Sequence, residues 1–430
     1  MRRRSPVLLF AALFFPLFAL YASTASYEGA QVNDAIAAAI PAWTLANEGT
    51  LTVGDEAPTN VWFVEAQGRR VSNRFPGVIA WAVPFYWLTR GSVPRPTVPE
   101  ATIAAVVAAS LAVTLMAFAL RRVVPHRVAV AAALLLGLGT TTWTVSANIL
   151  WSHGPAQLWL TIGLLAAASA RWWLATPAYA CAVLTRPHLV VAPGAAAAWH
   201  ALRDRWWRAV AFLLLGCAAG LALLLLYNHH VYGGWSLRGG YKATVGGTLH
   251  RSPKALLTNL AGVLVSPSRG LVGFSPFVLL LLPGLRRGWR AAPPWVRSAA
   301  LGALVYLLLQ LQANRFSGGS GFYGYRLLLE PLTLATPLLT LAYTEWVAPS
   351  RWRRRAFGVL VAYSVGVQAL GAVWFAVSRD GGSSPWWSLP QWATLRHAGV
   401  VGFLVAAAAG TAFVLLAGRA TRPPAAPAAG

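Results

Sequence analysis

Asp34 stands in the polar stretch 27–34, directly after an uninterrupted apolar run from 6 to 22. A carboxylate at that point is a candidate general base or metal ligand. The structural alternative is a residue supporting the first turn of a helix over 33–48, with Asn33 or Asp34 as its cap. Arg186, Arg269, Arg315 and Arg326 form a second group of interest, because they stand apart from the other arginine clusters of the chain. Guanidinium offers forked donors to phosphate oxygens, so a bound phosphate would account for them. Lipid-headgroup contact, or pairing with Glu330, Asp380 or a loop acid, would account for them too. Residues 314–326 form a Gly-rich loop bracketed by Arg315 and Arg326. Its glycines let a backbone approach a ligand closely, but the Lys-Ser/Thr of a nucleotide-binding loop is missing. His153 follows Trp151 and Ser152 at a predicted helix mouth. His229 and His230 are adjacent, a poor spacing for joint metal ligation on a regular helix. No Ser-His-Asp or Cys-His arrangement stands out.

The elements that must position these groups are dictated by composition. The chain has 430 residues, 57% of them hydrophobic and only 11% charged. Soluble domains carry about 25% charged residues, so this chain cannot cover its surface with charge and belongs in a bilayer. The net charge of +24 would suggest nucleic acid on a soluble protein. Here the arginines fall in short clusters between apolar segments, the pattern of loops retained in the cytoplasm, and nucleic-acid binding is excluded. Cys181 and Cys217 both lie in apolar runs, which implies no disulfide framework. The 21 tryptophans often flank apolar runs, as interfacial anchors do.

Apolar runs of spanning length lie near 6–23, 100–120, 128–147, 154–174, 207–227, 270–285, 298–313, 327–345, 356–377 and 394–417. The run 175–200 is interrupted by Thr185-Arg186-Pro187-His188. One helix would bury Arg186 at mid-depth, at a cost of several kcal/mol; a hairpin of two short helices with Arg186 at its tip avoids that cost. The sequence therefore predicts an all-α polytopic membrane protein with about 12 transmembrane helices. The first run, after Met1-Arg2-Arg3-Arg4, reads as a retained helix rather than a cleaved signal peptide. With the N-terminus inside, inner loops carry the arginine clusters, from Arg121, Arg122 and Arg127 to Arg351, Arg353, Arg354 and Arg355. Outer loops hold most of the acids: Glu28, Asp34, Glu48, Asp55, Glu56, Glu65, Glu100 and Asp380. This places both termini in the cytoplasm and the candidate site outside, in a multi-pass plasma-membrane protein. The count requires 76–89, short and carrying two prolines, to lie at the outer interface as a helix rather than to span. Residues 33–48 read as a similar interfacial helix, so the first outer loop, 24–99, carries both. A second long outer loop is expected over 228–256 and a disordered tail over 418–430.

Several segments, taken in order, resemble the GT-C superfamily of polyprenyl-phosphate-dependent glycosyltransferases, which contains protein mannosyltransferases and lipid A aminoarabinose transferases. Asp34 follows the first helix and precedes Ala42-Trp43-Thr44-Leu45-Ala46-Asn47-Glu48-Gly49. Next come Asn73-Arg74-Phe75-Pro76-Gly77 and Pro84-Phe85-Tyr86, then Leu150-Trp151-Ser152-His153-Gly154-Pro155-Ala156 and Leu184-Thr185-Arg186-Pro187. Gly233-Gly234, Ser268-Arg269-Gly270-Leu271, Gly318-Gly319 and Gly324-Tyr325-Arg326 complete the set. The likeness covers 1–345 as a transmembrane catalytic module, with 346–417 as less distinctive C-terminal helices. It implies a hexosyl- or pentosyltransferase that moves a sugar from a polyprenyl phosphate to an envelope acceptor (lipid, glycan or protein) on the extracytoplasmic side. Asp34 would match the acid that deprotonates the acceptor hydroxyl, with inversion at the anomeric carbon. Arg186, Arg269 and Arg326 are the implied phosphate ligands, followed by His153 and Arg74. The sequence departs from many relatives at two points. Asp34 is followed by Ala35 rather than Glu, and His153 stands where an acid is common in the second outer loop. No metal and no other cofactor is therefore expected.

Two other classes remain open on sequence. A transporter or lipid-carrier flippase would show repeated halves with broken helices at mid-membrane; 175–200 is broken, without a matching break in a second half. A non-catalytic subunit of an envelope-assembly complex would share the fold and tolerate loss of Asp34.

Overall fold

The computed structural model describes residues 5–28, 33–55, 57–60, 62–92, 95–241, 252–380 and 384–421. Arg2, Arg3, Arg4, Glu56, residues 29–32 and 242–251 and the tail from 422 lie outside the described residues. The first half comprises α1 (Pro6–Thr24), α2 (Asn33–Glu48), β1 (Phe63–Ala66), β2 (Arg69–Ser72), α3 (Pro76–Leu88), α4 (Pro99–Leu120), α5 (His126–Leu138), α6 (His153–Ala168), α7 (Trp172–Thr185), α8 (Val191–Trp199) and α9 (Trp207–Tyr232). The second half comprises α10 (Pro253–Val265), α11 (Leu271–Phe274), α12 (Phe277–Leu281), α13 (Leu285–Ala291), α14 (Pro294–Ala313), α15 (Leu329–Ala342), α16 (Arg351–Trp374) and α17 (Pro390–Thr421), the last kinked at Gly399.

Among the described residues six helices, α1, α4, α9, α14, α16 and α17, are long and apolar enough to cross a membrane. With the shorter pieces α5, α6, α7, α8, the broken segment 271–291 and α15 packed among these six, the described residues build a polytopic helical membrane protein. α1 shows how such a helix is seated: Leu9, Leu13, Leu17 and Tyr21, spaced four apart, are its buried stripe, while Val7, Leu8 and Phe15 face outward. α4 is the reverse case, buried over most of its circumference, largely through small side chains such as Ala101, Ala104, Ala105, Ala108 and Ala112, with the stripe Ile103, Val107, Leu111, Leu115 and Phe118 partly exposed. Small residues let neighbouring helix backbones approach closely where no aqueous hydrophobic effect drives association, and α1, α3, α5 and α6 all pack on α4.

The sequence expectation of two extra helices between α1 and α4 holds, as α2 and α3, and so does the break at Arg186. There the chain leaves α7, turns through Pro187–Val190 and starts α8. The two halves of that hairpin separate, α7 packing on α6 and α9, α8 on α14 and α9. Three expectations change. The run 270–285 is not one helix but the short pieces α11 to α13, because Pro276 and Pro283 lack the N–H that a continuous helix needs. Between them Ser275 is used for a cross-contact, its hydroxyl meeting the Gly139 carbonyl at 2.8 Å and the Tyr325 hydroxyl at 2.7 Å. The run 128–147 stops at Leu138, and Thr142–Ser146 forms a wide turn; the hydroxyls of Thr140, Thr141 and Thr142 compete there for backbone groups. Part of the expected outer loop 228–256 opens α10, whose Ser252 caps Ala255 N–H at 3.2 Å.

The sequence reading also missed a β-hairpin. β1 and β2 pair antiparallel, Phe63 opposite Ser72 and Ala66 opposite Arg69. The turn residues Gln67 (φ 52°) and Gly68 (φ 71°) both have positive φ, the geometry that matches strand twist in a two-residue hairpin. The hairpin ties itself to α2 through the Ser72 hydroxyl, which donates to the Ala37 carbonyl at 2.5 Å. A buried polar seam joins the bundle below: Gln157 bonds Ser146, Thr142 and Thr333 at 2.5, 3.1 and 2.8 Å, locking α6 to α15.

Candidate active site

The start of α2, the end of the hairpin, the mouths of α6 and α15 and the α7–α8 tip converge on one cluster of charges. Asp34 lies in the first turn of α2 with both carboxylate oxygens engaged: Oδ1 is 2.8 Å from Arg74 Nη2, and Oδ2 is 3.0 Å from Arg326 Nη1. Arg74 is aimed by its neighbours. Its backbone N–H donates to Ser72 Oγ at 3.1 Å, and its guanidinium lies 3.9 Å from the Trp62 ring centre and 5.8 Å from that of Tyr241. Arg326 follows the Gly-rich loop and lies over Trp151 at 4.9 Å and Phe322 at 5.2 Å. Gly324 makes that path possible: its φ of 94° is unfavourable for other residues, and a Cβ would strike Thr141. Thr141 in turn donates to the Tyr325 carbonyl at 2.6 Å, fixing the residue before Arg326. Burial draws the Arg326 guanidinium down from its ordinary pKa, and Asp34 opposes that fall.

Beside this pair lies a second one built on Glu330, in the first turn of α15 and fully buried. Its Oε1 is 2.8 Å from His153 Nδ1 and 3.1 Å from Arg186 Nε. Arg186 Nη1 reaches Ser152 Oγ at 2.9 Å and His153 Nε2 at 3.3 Å, and Arg186 Nε also donates to the Tyr306 hydroxyl at 3.3 Å. A carboxylate only accepts and a guanidinium only donates. His153 therefore carries its proton on Nδ1, accepts at Nε2 and is neutral. Tyr241 is electrostatically coupled to both pairs, to Arg74, Asp34, Arg186 and Arg326. Its ring stacks on Phe75 at 5.0 Å, and burial pushes its phenol up from the ordinary value. Three guanidinium groups against two carboxylates leave one positive charge uncompensated across the cluster. Nε of both Arg74 and Arg326 is buried without a hydrogen-bond partner among the described residues, and Arg74 Nη2 and Asp34 Oδ1 face each other as an ion pair without hydrogen-bond alignment.

Gly77 explains how the start of α3 and the α7 tip meet. A Cβ at this position would overlap the Thr185 backbone, so only glycine lets the start of α3 lie against the residue before Arg186.

Of the six residues singled out from sequence, the structure brings together Asp34, Arg74, His153, Arg186 and Arg326. Arg269 is the exception and corrects the expectation that it binds phosphate. It is fully buried and ion-paired with Asp380. Its remaining donors go to the carbonyls of Ser317, Ser268, Phe322 and Gly319, at 3.2, 3.1, 3.3 and 3.4 Å. A guanidinium has five N–H donors, and all five of Arg269 are engaged in holding the Gly-rich loop in shape. Arg315 is exposed. Glu330, Ser152, Tyr306, Tyr241, Trp62 and Trp151 were not singled out as site members. Glu330 and Asp380 had been named only as possible partners of the isolated arginines, and they are so used, Glu330 by Arg186 and Asp380 by Arg269. Among the described residues no group of three His, Cys, Asp or Glu side chains comes together; where a third acidic ligand would close on Glu330 and His153, the chain places Arg186.

The helices, with a buried charge cluster among them, define a polytopic helical membrane protein. A solved structure similar along almost the whole chain is that of ArnT from Cupriavidus metallidurans bound to undecaprenyl phosphate. The TM-score is 0.58 at 16% sequence identity, over 96% of this chain and 77% of that one. No family model matches the sequence, and no curated protein matches it.

Proposed function

We propose that this protein is an integral membrane glycosyltransferase that takes its sugar from a polyprenyl-phosphate donor and passes it to an acceptor hydroxyl with inversion. The observation that carries the reading is the clamp of Asp34 between Arg74 and Arg326, beside the Arg186–Glu330–His153 group, in a fold similar to that of an undecaprenyl-phosphate-bound protein.

The charge arrangement suits such a reaction. A donor phosphate entering the cluster meets an uncompensated positive charge and the free N–H groups of Arg74 and Arg326. As those guanidinium groups turn to the phosphate, the Asp34 carboxylate is released to accept a hydrogen bond from the acceptor hydroxyl. The hydroxyl oxygen then bonds to the anomeric carbon from the face opposite the phosphate, and the carbon–oxygen bond to the phosphate breaks. The proton passes to Asp34, and the electron pair leaves with the lipid phosphate. Such a step is helped most by a base within hydrogen-bond reach of the nucleophile and by fixed cations where the departing charge develops. Arg186, held rigidly by Glu330, Ser152 and Tyr306, supports the phosphate from the far side. The site lies at the end opposite the arginine clusters of 121–127, 286–297 and 351–355, which favours an extracytoplasmic active site.

The test begins with mass spectrometry of lipids that co-purify with the protein, followed by turnover of the polyprenyl-phospho-sugar found. Asp34→Asn is expected to insert and fold while losing about 10²- to 10⁴-fold in rate, the range of a general base. Unchanged turnover by that variant removes Asp34 from the chemistry.

A further inference from the structure

A groove of about 990 Å³ runs along α15, from Leu332, two residues past Glu330, to Arg351 beyond the far end of that helix. Its walls come from α5, α12, α15, α16 and α17 and are apolar, with Leu135, Leu281, Leu339, Val361 and Val414 among the lining side chains. Along α15 and the turn that follows, it extends from Leu332 to Ala348, about 24 Å at 1.5 Å per residue. One leaflet of a bilayer offers roughly 15 Å of hydrocarbon depth. A groove of this length and character therefore holds a whole acyl chain.

One end differs from the rest. Arg351, Arg354 and Arg355 line the mouth. All three are exposed, and among the described residues none is ion-paired. They occupy the first turn of α16, where no acidic residue is present and Ser350 makes no side-chain cap. Cations are unfavourable at a helix N-terminus, whose free N–H groups and dipole attract anions. Two independent features, the guanidinium groups and the uncapped N–H groups, therefore ask for negative charge at the same point. Gly358 lies one turn further along and also lines the groove; a Cβ there would meet only Val414, in ordinary contact at 3.5 Å.

We propose that this groove seats one anionic glycerophospholipid of the arginine-rich leaflet, with its phosphate at Arg351, Arg354 and Arg355 and one acyl chain laid along α15 and α16. Charge complementarity selects an anionic over a zwitterionic headgroup, and the length of the apolar channel selects a lipid over free phosphate. The site is separate from the proposed donor site and does not depend on the proposed reaction.

The experiment is native mass spectrometry of the full chain released from vesicles of equal parts phosphatidylglycerol and phosphatidylcholine. The wild type is expected to retain one phosphatidylglycerol in preference to phosphatidylcholine. Arg354→Gln/Arg355→Gln should lose about tenfold or more of that preference, at several-fold per basic residue, whereas Arg354→Lys/Arg355→Lys should keep most of it. Gly358→Leu should expel both lipids by filling the channel. Retention of the two lipids in equal amounts by the wild type overturns the proposal. So does an unchanged preference in the glutamine variant, or release of phosphatidylglycerol on adding inorganic phosphate alone.

Discussion

Glu330→Gln probes the arrangement that holds the cluster together. Glu330 is 0% exposed and its partner Arg186 12%, so solvent screens their attraction little. Removing one member of such a pair usually costs about 3 to 5 kcal/mol, because the other charge is left buried and alone. Glutamine keeps an acceptor oxygen, and Arg186 keeps Ser152 and Tyr306, which places the expected loss near the lower figure, about 3 kcal/mol. Arg186→Gln should cost a similar amount by stranding the carboxylate. The double variant strands no charge, so it should cost no more than either single change and give a coupling energy of about 3 kcal/mol or more. Denaturant unfolding of the detergent-solubilised protein, followed by tryptophan fluorescence, measures all four corners of the cycle. Losses that simply add, within about 0.5 kcal/mol, would refute the claim that Glu330 acts through Arg186.

Arg326→Ala should weaken binding of a polyprenyl-phosphate donor by roughly 10- to 100-fold, the worth of one charged hydrogen bond, with much less effect on the acceptor. Equal effects on both, measured by separate titrations, would place Arg326 outside the phosphate site. Gly77→Ala forces a methyl group into the Thr185 backbone and should destabilise the fold by about 1 to 3 kcal/mol. Gly194→Ala, in a helix with open space around it, should instead stabilise by about 0.5 to 1 kcal/mol. Thermal unfolding in detergent distinguishes the two signs.

Much of the scaffold was legible before any coordinates. Hydrophobic length gave the membrane passes, because a helix must cross about 30 Å of hydrocarbon whatever its neighbours do. The helical apolar face of 33–48, the two prolines of 76–89 and the arginine interrupting 175–200 marked α2, α3 and the α7–α8 tip for local reasons that survive in the fold. Where the reading failed, apolar content outweighed local signals. The run 270–285 looked continuous by hydropathy although Pro276 and Pro283 interrupt it, and the contact that uses the gap, Ser275 with Gly139 and Tyr325, is distant in sequence. The hairpin 63–72 was missed because Gln67-Gly68 is a weak turn signal.

The sequence by itself named residue types that can bind phosphate or move a proton, and it placed Asp34, Arg74, His153, Arg186 and Arg326 among the candidates. Their roles were decided only in three dimensions. Arg269 and Arg326 look alike in the chain, each an arginine beside glycines, yet one commits every donor to Asp380 and loop carbonyls while the other keeps a donor free. Glu330, in the sequence only one of several possible partners for the isolated arginines, became the anchor of Arg186 and His153 because α15 brings it, 144 residues along the chain from Arg186, to the α7 tip. A side chain's chemistry is intrinsic to its type, but which of its hydrogen bonds remain open to a ligand depends on what folding brings against it.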